Sequence, residues 1–183
     1  MSGQVADPVW VAFLRGMNLG GRRLGNDELA AAVEGCGCRA VRTYQASGNV
    51  VLVDRRPKDE LLAALEAGLE ASLGYSVPVF LRGAGEVRTI AAATPFTEAE
   101  RAASSGKPQV IFLRAALSAD TLREVEALIP ADDRMVPAGG QLHWLPAAGL
   151  ADNGLELRRL DAVTGGTTVR TQGTVQRLAS KLL

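Results

Sequence analysis

Val9 to Leu14 is an unbroken run of six apolar residues, cut off at once by Arg15 and Gly16. A run of that length with a glycine flank fits a buried strand and is too short for a core helix. The residues after it narrow the topology. Asn26 is placed to cap a helix, Asp27 and Glu28 fill its first turn, Leu29, Ala32 and Val33 recur at helical spacing, and Gly35 stops the pattern. Ala40 to Gln45 and Val50 to Val53 are strand-like and are joined by the turn-forming set Ala46, Ser47, Gly48 and Asn49, which predicts a hairpin. Pro57 opens a second helix with Leu61, Leu62, Leu65 and Leu69 on one face and Gly74 at its end, and Tyr75 to Leu81 predicts another strand. Strand, helix, strand, strand, helix, strand is the split βαβ order of ferredoxin-like domains.

The same order recurs downstream. A short helix is predicted over 86–93, and the polar stretch Ser104, Ser105, Gly106, Lys107 and Pro108 reads as a linker. Gln109 to Arg114 is strand-like, Ser118 caps a helix over 120–129, and 133–137 with 142–145 form a hairpin turning at Gly139 and Gly140. A helical segment over 155–160, a β-like Thr167 to Val169 and a helix from Thr171 to the end complete it. The expectation is an α+β chain of two tandem ferredoxin-like (split βαβ) subdomains with antiparallel sheets. An N-terminal subdomain with its connecting helix occupies 1–105, and a C-terminal variant subdomain with a terminal helix occupies 106–183.

With 20 Lys plus Arg against 20 Asp plus Glu in 183 residues, the chain is neither a polybasic membrane anchor nor a strongly basic nucleic-acid binder. No apolar stretch reaches the roughly 20 residues of a membrane-spanning helix, and the first residues lack a secretory pattern, so a cytoplasmic location is expected with no membrane partner. Cys36 and Cys38 have no second pair and only His143 to join them, which fits two free thiols better than a zinc site. No metal is expected, since the carboxylates fall in adjacent pairs such as Asp132 and Asp133 rather than at ligand spacing. A Ser-His-Asp arrangement would have to use His143, on a strand beside Trp144, where a histidine is more commonly structural.

The stretch most open to chemistry is Leu14, Arg15, Gly16, Met17, Asn18, Leu19, Gly20 and Gly21, a glycine-rich loop between the first strand and the first helix. It has neither the lysine of a P-loop nor the G-x-G-x-x-G spacing of a dinucleotide site. Asp27 and Glu28 at the helix start repel an anion there, so an anion would depend on Arg15, Arg22 and Arg23. Equally, the glycines serve a tight connection and the arginines are solvated. In the hairpin, Thr43, Gln45 and Ser47 alternate with Tyr44 and Ala46 and so project from one face, either toward a ligand or toward water.

Leu14 to Gly21 resembles the leucine-arginine-glycine, asparagine and double-glycine signature of the domain of unknown function 1697 family, a bacterial family. Arg42 to Val51 is similar to its threonine-tyrosine-x-x-serine-glycine-asparagine hairpin. Thr94, Pro95 and Phe96 resemble a proline-phenylalanine element, and Arg170 with Thr174 to Leu178 resembles a C-terminal arginine-asparagine-tryptophan-x-threonine motif. The resemblance implies two ferredoxin-like subdomains and brings no established activity or cofactor with it. Thr171 and Gln172 stand where that motif has asparagine and tryptophan, so either Arg170 anchors the last helix or an altered site lies there.

From these residues the expected function is a cytosolic binder, or an enzyme, of a small anionic, phosphate-bearing ligand such as a nucleotide. Its ligand-binding residues would be Arg15, Asn18, Gly20, Gly21, Ser47, Gly48, Asn49 and Arg170, in a monomer or weak dimer. No catalytic base or nucleophile stands out. The alternative is a nucleic-acid or protein interaction module using the C-terminal basic residues Arg158, Arg159, Arg170, Arg177 and Lys181, which face Asp161 alone in that stretch. RNA is the weaker partner, because Trp10 and Phe13 lie on opposite faces of their strand, Val50 to Val53 adds no aromatic, and only 4% of the chain is aromatic.

Overall fold

The computed structural model describes residues 7–17, 24–45, 48–149 and 155–183. The first repeat contains β1 (Val9–Leu14), α1 (Asn26–Gly35), β2 (Arg39–Thr43), β3 (Asn49–Val53), α2 (Lys58–Leu73) and β4 (Val79–Gly83). Its four strands lie in the order β2-β3-β1-β4, every pair antiparallel. β1 is central, which explains why its sequence does not alternate. Ala12 and Leu14 join Val50, Leu52 and Leu81 against Leu29 and Val33 of α1 and Leu61, Leu65 and Leu69 of α2. Val11 and Phe13, on the opposite face, are fully buried too.

α3 (Ala84–Ala92) leaves β4 without a loop and is followed by α4 (Glu98–Ala103). The second repeat contains β5 (Gln109–Leu113), α5 (Ala119–Glu126), β6 (Arg134–Ala138), β7 (Gln141–Leu145), α6 (Leu157–Thr164), β8 (Thr167–Thr171) and α7 (Gln172–Leu182). Its sheet has the order β6-β7-β5-β8, again antiparallel throughout, so β5 takes the place of β1. Ile111, Leu113, Leu142 and Trp144 pack with Val125 of α5 and Leu160 of α6. The chain is thus α+β with two tandem split βαβ sheets. By compactness, one unit runs to Arg88 and takes in Leu178–Leu183, and the other is Thr89–Arg177. Among the described residues no helix is long and apolar enough to cross a membrane.

Local differences from the sequence expectations have physical causes. Gly25, not Asn26, caps α1, because the Glu28 carboxylate reaches back to accept the Gly25 N–H at 2.9 Å and draws Asn26 into the first turn. β4 begins at Val79 rather than Tyr75, since its register on β1 starts with Leu14 opposite Val79 and β1 ends there. α4 was not expected, although Thr97 and Glu100 form a reciprocal capping box that the T-x-x-E spacing announces. The stretch read as a linker is fastened in place: the Ser104 hydroxyl donates to Pro146 O at 2.6 Å and the Ser105 N–H to Ala147 O at 3.1 Å.

Candidate functional site

At one end of the first sheet, β1 leads into Arg15 and the β2–β3 turn comes back beside it. The Leu14 N–H donates to Gly48 O at 2.7 Å, and the Arg15 N–H donates to Pro78 O at 3.0 Å. Phe13 is the register partner of Asn49. The two motifs, about 30 residues apart in the sequence, therefore meet at one edge, with the half-buried Arg15 between the hairpin turn and the chain entering β4. Asn18, Gly20, Gly21 and Ser47 lie outside the described residues, as do Arg22 and Arg23.

Gly48 and Asn49 are held by the fold itself. Gly48 has φ of 75°, and a Cβ there would sit 2.8 Å from Met17 Cγ and 3.0 Å from Leu14 Cβ. Asn49 is fully buried, and its side-chain amide donates to Tyr44 O at 3.0 Å while the Tyr44 N–H donates to Asn49 O. Both close the turn, and Asn49 is sealed from solvent. The row of Thr43, Gln45 and Ser47 expected on one face is broken, because β2 ends at Thr43 and Gln45 takes φ of 56°, which ends the two-residue alternation. Among the described residues Arg15 places a cation at this edge, and the start of α1 is already served by the carboxylate of Glu28.

Arg170 belongs to the second unit. It lies on β8 opposite Val110, and its Nη1 donates to Thr168 Oγ1 and to Val169 O, both at 2.8 Å. Burial pulls its pKa down to about 10. The neighbouring departures from the family motif carry helix ends. Thr171 Oγ1 accepts the Thr174 N–H at 3.1 Å at the start of α7. Gln172 Nε2 donates to Ile90 O at 2.9 Å and Ala91 O at 3.2 Å, closing the C-terminus of α3.

Sequence reasoning passed over Arg82. It stands on β4 opposite Val11, is 3% exposed, and donates from Nη1 to Leu81 O at 2.8 Å. Burial lowers its pKa, with Glu86 opposing. The available signal was an arginine one residue before the end of the fourth strand of each repeat, Leu81-Arg82-Gly83 and Val169-Arg170-Thr171. Cys36 and Cys38 are free thiols. Arg56 donates to both oxygens of Asp54, at 2.9 and 2.6 Å, and to Cys36 O. Burial nevertheless pushes the Cys38 thiol up to about 11, so this pair is not an activated nucleophile.

The sequence model of a family described as a protein of unknown function (DUF1697) matches residues 8–143, well over half of the chain. The chain belongs to the DUF1697 family. The matched span includes both motifs that meet at the Arg15 edge and ends before Arg170. Among solved structures, a conserved bacterial protein from Streptococcus pneumoniae superposes with a TM-score of 0.77 at 18% identity, covering 97% of this chain and 99% of its own. That likeness establishes a shared architecture over nearly the whole length of both chains. No curated protein matches the chain in sequence.

Proposed function

We propose that this DUF1697 protein is a cytosolic binder of a small anionic, phosphate-bearing ligand of the nucleotide or phosphate-ester class, held at the Arg15 edge of the first sheet. The reading rests on one observation. The Leu14 N–H to Gly48 O bond ties the end of β1, where the glycine-rich motif begins, to the β2–β3 turn, and the next residue is the half-buried Arg15. A guanidinium offers a rigid fork of donors that matches phosphate oxygens, and glycine-rich backbone leaves its N–H groups open to them. Gly48 and Asn49 enter this reading as supports that shape the turn, not as ligand contacts. No side chain described at this edge is arranged as a general base or nucleophile, so any chemistry there would come from electrostatic positioning.

A thermal-shift screen of the wild type and Arg15→Ala against nucleotides, sugar phosphates, coenzyme A and short RNA tests it. A ligand at about 100 times its dissociation constant adds roughly 2.7 kcal/mol of stability. The expected result is a shift with a phosphate-bearing compound that disappears in Arg15→Ala while the unliganded melting temperature holds. A ligand response unchanged in that variant would remove Arg15 from the site and the proposal with it.

A further inference from the structure

The second unit contains a cavity of about 290 Å³ between α4 and the open end of the β6–β7 hairpin, where Arg134 pairs with Leu145. That volume lies just below the usual range for small-molecule sites, about 300 to 1,000 Å³, and suits a ligand of few atoms. Its floor is apolar, from the buried Leu145 with Ala147, and Ala103 of α4 forms a side wall. Glu100, Asp132 and Arg134 stand at its rim.

The rim charges are not equivalent. Glu100 Oε2 accepts the N–H of Thr97 at 2.8 Å and its hydroxyl at 2.9 Å, and those bonds hold its carboxyl below the usual range. Its other oxygen faces Arg134 Nε at 3.7 Å. Glu100 is thus committed to capping α4 and to orienting Arg134, whose Nη1 donates to Asp133 O at 3.0 Å. Asp132 is exposed and remains the uncommitted anion of the rim among the described residues. Asp132 on its own and the Glu100–Arg134 pair thus flank a small apolar floor.

The walls are fixed before anything enters. The buried Asp133 accepts Trp144 Nε1–H at 2.7 Å and the Ala147 N–H at 2.9 Å. The lining Ser104 donates to Pro146 O at 2.6 Å, and Gly106 lies so close to that oxygen that a Cβ would stand 2.3 Å from it. Pre-organised walls lower the ordering cost of binding.

We infer that this cavity binds a free α-amino acid with a small aliphatic side chain. The ammonium meets Asp132, the carboxylate meets Arg134, and the side chain covers Leu145 and Ala147. A carboxylate matches the guanidinium fork, and an ammonium matches a lone carboxylate. This site is separate from the Arg15 edge, and its test does not depend on that reading.

Isothermal titration of the full chain with L-leucine, 3-methylbutylamine and 4-methylpentanoate decides it. The amine lacks the carboxylate and the acid lacks the ammonium. L-Leucine is expected to bind, and each truncated analogue to bind about tenfold more weakly or not at all. Asp132→Asn should weaken leucine about tenfold, and Ala103→Trp, at an exposed position, should abolish binding by filling the cavity, both with unchanged melting temperatures. The inference is overturned if leucine at about 10 mM gives no heat, if the amine binds as well as the amino acid, or if both variants bind as the wild type does.

Discussion

Arg82 and Arg170 hold the same place in the two sheets. Each lies one residue before the end of the fourth strand, opposite a fully buried valine of the central strand, Val11 or Val110. Each turns Nη1 back to the carbonyl of the residue before it at 2.8 Å. In each repeat a helix starts directly after the strand, and a side chain bonds a backbone N–H at that junction: Glu86 takes that of Gly83, and Thr171 that of Thr174. The arginine in the C-terminal motif is therefore one of two copies of a feature belonging to the repeated architecture. The Arg170 guanidinium is desolvated and bonded within its own strand, to Thr168 and Val169.

Gln172→Ala should cost about 1 kcal/mol, because the substitution removes the amide that donates to Ile90 O and Ala91 O and leaves them the longer bonds from the Ala93 N–H and the Gln176 amide, both at 3.3 Å. Urea unfolding of the two proteins measures it. A cost under about 0.5 kcal/mol would mean that water replaces the amide freely.

Gly48→Ala should destabilise the chain by about 2 to 5 kcal/mol, from two costs. The left-handed backbone alone costs about 1 to 2 kcal/mol for a residue with a Cβ. The contacts with Met17 and Leu14 add overpacking of about 1 to 3 kcal/mol. The same denaturation experiment reads it.

His143 is the single histidine, is 3% exposed between Val110 and Val136 in the register, and burial holds its pKa below the ordinary 6.5. The unfolded chain therefore takes up the proton first, and stability falls as pH drops below about 6.5. The Asp54 and Glu100 carboxyls are lowered from 3.8 and 4.5, so their contributions are lost only at more acidic pH. Melting temperatures between about pH 7 and about pH 5 should decline in the wild type and stay flat in His143→Gln.

Both cysteines should react slowly with a disulfide reagent near pH 8. A Cys38 pKa of about 11 in place of 9.0 leaves about a hundredfold less thiolate, and burial raises Cys36 as well. Unfolding in guanidinium should release both thiols at the rate of free cysteine. Rapid modification of the native protein would contradict the burial seen at this pair.

The repeated order of elements was legible in the chain because short apolar runs, helical spacing and turn residues act locally. Val9–Leu14, the Ser118 cap, the turn at Gly139 and Gly140 and the Gly74 helix end all follow from neighbours a few residues away. Boundaries set by partners across the sheet were not legible in this way. β4 starts where β1 stops, and Asn26 sits inside α1 because Glu28 reaches Gly25.

The candidate sites divide along the same line. Arg15 and the Ser47 to Asn49 turn stand out as residues in the sequence, but only the β1–β3 register brings Gly48 to Leu14. Pairing across strands also seals Asn49 inside the turn and sets Arg82 and Arg170 in matching places. The cavity beside Asp132 and Arg134 left no trace in local pattern, since its floor and walls come from segments far apart in the chain, Ala103 on one side and Leu145 with Ala147 on the other. Sequence spacing reports which face of an element is apolar. Which elements meet across those faces, and which polar groups are committed when they do, is decided by packing of the whole unit.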